Sequence, residues 1–319
     1  MVGHEMDLGA YRIAVLVPCH NEEVAIGAVV RDFRQSLPTA TVYVYDNNCT
    51  DRTAEIARAA GAVVRNERLP GKGNVVRRMF ADIDADIYVM ADGDDTYDAA
   101  SAPRLVEQLV TGGFDLVSGS RVTDIAKAYR PGHRFGNLVL TGIVAWIFNS
   151  QVTDMLSGYR VFSRRFVKSF PALSRGFEIE TELTVHALEL RLPTDEIPTP
   201  YKDRPEGSTS KLNTLRDGFR ILLTILRLVK EERPLPFFSL VALLVALLAV
   251  GLALPLLHTY LQTGTVPRLP TAILSTGLMI LSFLFLASGF ILDTVTHGRR
   301  EMKRLFYLTL PPLDRPEPR

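Results

Sequence analysis

Ile87-Tyr88-Val89-Met90-Ala91-Asp92-Gly93-Asp94 is an apolar run that ends in two carboxylates flanking a glycine. A run of this composition, closed by turn residues, reads as a buried strand. Asp92 and Asp94 then stand on its exit turn, where carboxylates can hold a hard divalent cation. Magnesium uses one or two carboxylates and takes its other ligands from water and substrate phosphates. The stretch therefore points to a metal–diphosphate site, the usual handle on a nucleotide-activated donor. By itself an Asp pair in a loop is more often a solvated turn, so the surroundings decide.

Outward from this stretch the first half of the chain alternates strand and helix patterns. Strands are expected at Ile13–Val17, Thr41–Tyr45, Ala62–Arg65, Ile87–Met90 and Phe114–Ser118. Helices are expected at Glu22–Phe33, Asp51–Ala60, Asn74–Ala81 and Pro103–Val110. Such alternation specifies an α/β fold, a mainly parallel sheet covered on both faces. Ligands of these sheets sit at the carboxyl ends of the strands. The polar clusters fall there: Pro18–Glu22, Asp46–Asp51 and Asp92–Asp95. No GxGxxG follows the first strand, which argues against a dinucleotide-binding Rossmann domain. Gly71-Lys72-Gly73 is not a Walker loop either, because Asn66 stands where that pattern needs glycine and Gly73 where it needs Ser or Thr.

A chain of 319 residues can bury one large core or two smaller ones. Its net charge of +1 gives no global field for nucleic acid. Cys19 and Cys49 cannot build a disulfide framework and lack metal-ligand spacing. The polar start, Met1 to Tyr11, predicts no secretory signal peptide. Leu235–Leu257 and Leu269–Leu292 contain no charged residue, and each exceeds the roughly 20 residues that span a bilayer core. Arg227, Lys230 and Arg233 precede the first span, and Arg299, Arg300, Lys303 and Arg304 follow the second. The positive-inside rule puts both flanks in the cytoplasm and the linker outside. Arg134–Ser150 is apolar but too short to span comfortably, so a core or interfacial helix is expected there. Leu212–Lys230 reads as an amphipathic helix whose basic stripe, Arg216, Arg220, Arg227 and Lys230, suits anionic lipid headgroups.

Five motifs in order resemble the inverting family 2 glycosyltransferases of the GT-A fold, in the polyprenyl-phosphate branch typified by dolichol-phosphate mannose synthase. The resemblance covers roughly Ile13 to Lys230, and the paired spans match its two-helix bacterial members. Val15-Leu16-Val17-Pro18-Cys19-His20-Asn21-Glu22-Glu23 is similar to the opening strand and nucleotide loop, which implies that Pro18, Asn21 and Glu22 line base and ribose. Capping of the next helix is the plainer alternative for Asn21 and Glu22. Tyr45-Asp46-Asn47-Asn48-Cys49-Thr50-Asp51 resembles the second-strand turn, where Asp46 would read the base and Asn48 join the donor site. Asp51 itself is expected to cap a helix. Gly71-Lys72-Gly73-Asn74 resembles the glycine-flanked loop, with Lys72 near the diphosphate and glycines that allow close backbone approach.

Asp92-Gly93-Asp94 falls on the metal motif, so Asp92 and Asp94 are the expected ligands of Mg2+ or Mn2+. Asp95 and Asp98 are extra carboxylates that leave another pair open. Asp154-Met155-Leu156-Ser157-Gly158-Tyr159-Arg160 is similar to the acceptor-side segment. It implies an acceptor-phosphate set of Arg121, Ser157 and Arg160, since a guanidinium fork matches phosphate oxygens. Asp94, Asp154 and Arg160 are the implied catalytic residues, with Asp154 and Glu180 as acid–base or orienting candidates. Arg204, Gly207, Ser208 and Ser210-Lys211-Leu212 resemble the basic segment before the membrane helices, which would clamp the donor diphosphate, with Arg204 and Lys211 as donor-binding residues, or the lipid phosphate. A flexible polar linker is the alternative there. The polysaccharide synthases of the wider family carry Gln-x-x-Arg-Trp, whereas the one tryptophan here is Trp146 in Val144-Ala145-Trp146, so processive polymerisation is not expected. His20, His133 and His186 share no metal spacing and are expected to be structural.

The resemblance thus implies transfer of one sugar, with inversion, from a nucleoside-diphosphate sugar (UDP is the expectation) to a polyprenyl phosphate such as undecaprenyl phosphate. Residues 1–211 would be the cytoplasmic catalytic domain and 212–233 a juxtamembrane helix. Two spans at 234–257 and 269–293 would flank an external linker at 258–268, and 294–319 would be a cytoplasmic tail at the inner membrane. Partners would be the nucleotide sugar, the lipid phosphate and the bilayer, with no nucleic acid. A homo-oligomer through the membrane helices is also implied, although the spans carry no strong small-xxx-small signature. Transfer to a lipid or glycan hydroxyl, which would need a general base such as Asp154, and a catalytically silent membrane-anchored partner are the alternatives.

Overall fold

The computed structural model of the chain describes residues 8–122, 142, 154–176, 178–205, 223, 227 and 229–313. Seven strands form one sheet: β1 (Ile13–Cys19), β2 (Thr41–Asp46), β3 (Val63–Asn66), β4 (Ile87–Met90), β5 (Leu116–Val122), β6 (Arg160–Ser163) and β7 (Thr194–Pro200). Their order is β3-β2-β1-β4-β6-β5-β7. All neighbours are parallel except β6, which runs antiparallel to both β4 and β5. Among the described residues the sheet is accompanied by helices α1 (Ile26–Ser36), α2 (Thr53–Ala59), α3 (Lys72–Asp82), α4 (Ala102–Gly112), α5 (Arg164–Ser169) and α6 (Ile179–Glu189).

β1 is apolar at nearly every position because it is an inner strand buried on both faces. Val15 and Val17 join one core with Ile26, Val30 and Phe33 of α1 and Leu105 and Leu109 of α4. Ala14 and Leu16, pointing the other way, join a second core with Val76, Met79 and Phe80 of α3 and with α5 and α6. Register then assembles the ligand edge. Cys19 aligns with Asp46 and Leu16 with Met90, so the exits of β1, β2 and β4 open side by side.

The chain divides into two compact units, residues 1–219 with 303–319, and residues 220–302. The second unit is built on α7 (Pro234–Thr263) and α8 (Leu269–Leu308), both long and apolar enough to cross a membrane. Their outward side chains, including Leu243, Leu247, Phe283 and Ile291, are exposed. Small residues recur every seven positions along α8, and Ser275, Ser282, Gly289 and Thr296 are all buried; Ser282 and Gly289 meet α7. Ser282 donates to the Ala242 carbonyl at 2.8 Å, and a Cβ on Gly289 would stand 3.1 Å from that of Phe238. Period seven keeps one face of a helix on its neighbour. Buried Glu232 takes Arg299 at 2.8 Å and Arg300 at 3.0 Å.

The last turns of α8 belong to the first unit. Tyr307 is buried in the second core, and its hydroxyl donates to Asp115 Oδ2 at 2.6 Å. Arg165 grips the same carboxylate at 2.7 and 3.0 Å and covers the Tyr307 ring. Lys303 pairs with Glu189 at 2.6 Å. The expected amphipathic stretches Arg134–Ser150 and Leu212–Lys230 lie outside the described residues, apart from Gly142, Leu223, Arg227, Val229 and Lys230.

Candidate active site

An open cleft at the strand exits is lined by Pro18, Glu22, Asn48, Lys72, Asp92, Asp94 and Arg204, all expected donor-side residues, and by His20 and Asn47. Its floor is a set of cross-ties between the β1 and β2 exits. Asn47 N–H donates to the Cys19 carbonyl at 2.9 Å, and His20 Nδ1 lies 2.7 Å from the Asn47 carbonyl. Buried Asn47 donates to the carbonyls of Glu67 and Leu69 and accepts from Gly71 N–H. One amide thereby fixes the whole loop leading to Lys72. Asn47 was missed in the sequence, although it sits next to Asp46 in the quoted motif.

Two expected base-reading residues have other work. Asn21 adopts φ +55°, and its Oδ1 accepts from Thr50 N–H at 2.8 Å. Asp46 Oδ1 accepts from Cys49 N–H at 2.7 Å. Both side chains shape the loop and neither lines the cleft, because their short polar arms are drawn to nearby backbone donors. Neither Asn21 nor Glu22 caps α1 by its side chain. Asp51 is not the N-cap of α2, which is Arg52; it stands one residue earlier and accepts from Thr53 N–H at 3.0 Å.

Lys72 opens α3. Gly71 stands at φ +118°, and a Cβ there would lie 2.2 Å from the Arg175 carbonyl oxygen. Gly73 is as tight, 2.3 Å from the Ser174 carbonyl oxygen. These glycines admit the 174–175 backbone, whereas the sequence motif implies close approach to a diphosphate. Gly71→Ala should therefore destabilise by at least about 1–3 kcal/mol from backbone strain, and thermal unfolding of the variant reads that loss.

Lys72 Nζ lies 2.5 Å from Asp92 Oδ1 and 2.6 Å from Glu180 Oε1. Burial disfavours the ammonium, but the two carboxylates outweigh it and hold the group protonated above the usual lysine range. Asp94 Oδ2 meets Arg204 at 2.6 Å, and its Oδ1 accepts from the Thr96 hydroxyl at 2.6 Å. A Cβ on Gly158 would come within 2.7 Å of Asp92 Oδ2, so that glycine makes room for the carboxylate. Asp98 is engaged by the Ser101 hydroxyl at 2.7 Å, and neither it nor Asp95 lines the cleft.

The acceptor-side set does not assemble as expected. Ser157 is fully buried and donates to the Gly119 carbonyl at 2.6 Å. Arg160 is also fully buried, because it lies on β6 in the sheet interior; it donates to the carbonyls of Ser157 at 2.9 Å and Met155 at 2.7 Å. Both hold the 155–160 turn and offer no surface to an acceptor phosphate. Arg121 grips Asp154 in a two-point pair at 2.7 and 2.8 Å. Burial pushes the Asp154 carboxyl up, Arg121 more than offsets it, and the group sits below its ordinary range. Both Asp154 oxygens are therefore committed to Arg121. Lys211, with Gly207, Ser208 and Ser210, lies outside the described residues. His186 is structural: burial pushes its imidazole down to about 3, and its Nε2 lies 3.3 Å from the Ser169 hydroxyl.

Known proteins are similar to this chain in sequence and in fold. Residues 14–170 match the family model described as glycosyl transferase family 2. Glycosyltransferase AglJ of Haloferax volcanii is 34% identical over 300 residues, covering 92% of this chain and 97% of its own. The dolichyl-phosphate hexose transferase of the same organism is 29% identical over 221 residues, covering 69% and 95%. Among solved structures, glucosyl-3-phosphoglycerate synthase from Mycobacterium tuberculosis, in complex with Mn2+, UDP-glucose and phosphoglyceric acid, superposes with a TM-score of 0.57 at 25% identity, over 71% of this chain and 84% of that one. The shared sheet is the GT-A fold, and a likeness to AglJ that runs almost end to end makes this chain a member of glycosyltransferase family 2.

Proposed function

We propose that the chain transfers a single hexose, with inversion, from a nucleoside-diphosphate sugar, UDP-linked in the first instance, to the phosphate of a polyprenyl carrier such as undecaprenyl phosphate. The observation that carries this reading is the cleft in which two carboxylates, Asp92 and Asp94, each face a cation, Lys72 and Arg204. Such a set is matched to a diphosphate bound with a divalent ion. The dolichyl-phosphate hexose transferase likeness supports the lipid acceptor. Residues 1–211 form the catalytic domain in this reading, 212–233 a juxtamembrane helix and 234–257 and 269–293 the spans. The linker 258–268 is external, and residues 294–319 are cytoplasmic at the inner membrane.

The donor set suits Mg2+ or Mn2+. Asp92 and Asp94 already attract cationic groups to within 2.6 Å, and among the described residues no cluster of three or more His, Cys, Asp or Glu forms a closed cage. These ions use few carboxylates and complete their shell from water and phosphate. Asp92 and Asp94 would hold the ion, which when bound neutralises charge on the departing diphosphate. Lys72 and Arg204 add positive charge at the same leaving group. Pro18, Glu22, Asn48 and the buried Asn47 define the nucleotide end of the cleft. Arg121, fixed by Asp154, supplies an ordered guanidinium on the acceptor side.

A lipid phosphomonoester has a second pKa of about 6, so near neutrality it is largely a dianion and needs no general base. An Asp154 carboxylate bound at two points by Arg121 favours this acceptor over a hydroxyl, which would require a general base. Asp154→Asn should accordingly retain transfer to within about tenfold, losing positioning but not a proton acceptor.

Purified full-length protein with Mg2+ or Mn2+, undecaprenyl phosphate and radiolabelled nucleotide sugars tests the reading by extraction into organic solvent. Label is expected in the lipid phase only when carrier and metal are both present. Label that instead follows diacylglycerol, and is abolished by Asp154→Asn, would replace the phosphate acceptor with a hydroxyl.

A further inference from the structure

We infer that Glu180 is a positioning residue that shares Lys72 with Asp92 and thereby keeps Asp92 available to a divalent cation. The inference rests on the metal–diphosphate reading above and extends it to a residue outside the cleft.

Glu180 lies in the first turn of α6, over a hundred residues from Lys72 in sequence. Its side chain is 6% exposed and does not line the cleft. What it does reach is the ammonium, at 2.6 Å, almost equal to the 2.5 Å that separates Lys72 from Asp92. Burying a charge is costly without a partner, and this cation has a carboxylate on either side.

The same turn of α6 also fixes the backbone beneath Lys72. Glu182, two residues on, accepts from Leu173 N–H at 2.9 Å and Ser174 N–H at 2.8 Å. The Ser174 and Arg175 carbonyls are the groups against which Gly73 and Gly71 pack. One helical turn therefore sets both ends of the lysine: its main chain through Glu182 and its ammonium through Glu180.

The electrostatic consequence has a definite sign. A cation arriving at Asp92 competes with Lys72 for the same oxygen. Glu180 weakens that competitor by drawing the ammonium toward itself, and its negative charge further favours a divalent ion nearby. Without the Glu180 charge, more of the lysine's attraction falls on Asp92 and the ion binds less well. Without the lysine, the ion binds better while the diphosphate loses a cation.

Manganese titration of the full chain in detergent, followed by electron paramagnetic resonance with and without UDP, tests this. In Glu180→Gln the Mn2+ dissociation constant of nucleotide-free protein should rise by about tenfold or more, the usual scale for loss of an outer-shell partner. Glu180→Asp, which keeps the charge, should recover most of it. Lys72→Met should bind Mn2+ about tenfold more tightly than wild type without nucleotide, yet gain less from added UDP. Lys72→Met also decides the matter if Glu180→Gln fails to fold. Unchanged Mn2+ affinities in the variants, with Mn2+ and UDP binding together in wild type, would overturn the role of Glu180 alone. Absence of Mn2+ binding to wild type with either UDP or GDP would overturn the metal–diphosphate reading, and this inference with it.

Discussion

Asp94→Ala should lower transfer to the lipid phase by about 10³-fold, the upper scale for removing one preorganised electrostatic group from an active site. Asp94 is nearly fully buried at the rim of the cleft and divides its oxygens between Arg204, at 2.6 Å, and the Thr96 hydroxyl, at 2.6 Å. The variant loses a carboxylate that would hold the ion and also the anchor that aims Arg204. Asp98→Asn is the matched control, because Asp98 is occupied by Ser101 and does not line the cleft; its turnover should stay near wild type. Melting curves recorded beside the assays separate chemistry from folding. Turnover within a few-fold of wild type in folded Asp94→Ala would remove the carboxylate pair from the mechanism.

Asp115→Ala should produce the largest loss of stability. Asp115 is 1% exposed. It accepts from the Ser163 hydroxyl at 2.6 Å, from Arg165 at 2.7 and 3.0 Å and from the Tyr307 hydroxyl at 2.6 Å. Truncation leaves the Arg165 cation and two hydroxyls without their shared acceptor. Breaking a buried pair from one side costs about 3–5 kcal/mol, which for a chain of this size lowers the melting temperature by roughly 10 °C. Tyr307→Phe removes one hydrogen bond and should cost only about 1 kcal/mol. Equal losses in the two variants would mean that Arg165 and Ser163 contribute little.

Much of this architecture is local and therefore legible in the chain. The apolar runs of β1, β2 and β4 announce inner strands, and the three polar exits mark the ligand edge. Boundaries moved where a distant contact intervened. α1 runs from Ile26, one turn after Glu22, whose carbonyl already accepts from Ile26 N–H at 2.9 Å while its own N–H donates to the Thr53 hydroxyl at 2.8 Å. α3 begins two residues early, at Lys72, where Gly71 can turn the chain. β6 is four residues long and antiparallel, and nothing in Arg160-Val161-Phe162-Ser163 announces its direction. Its insertion is what buries Arg160, which motif position alone would put against a phosphate. The Lys72–Glu180 pair is invisible for the same reason, since only the tertiary fold joins its ends. In the second unit a search at four-residue spacing misses small residues that recur every seven, the period of a left-handed helical pair.

Tyr307 and Lys303 give the chain an order of manufacture. The core that holds Asp115 and Glu189 is encoded on both sides of residues 220–302. During synthesis the ribosome delivers the first 219 residues, then the whole hairpin, and only afterwards the tyrosine that closes the core. At 5–20 residues per second the interval is on the order of ten seconds. Through it the nascent domain waits with Asp115 and Arg165 lacking their third member. Tyr307 stands in the last turn of the second long apolar helix, so its hydrogen bond to Asp115 becomes available only once nearly all of that helix has been synthesised.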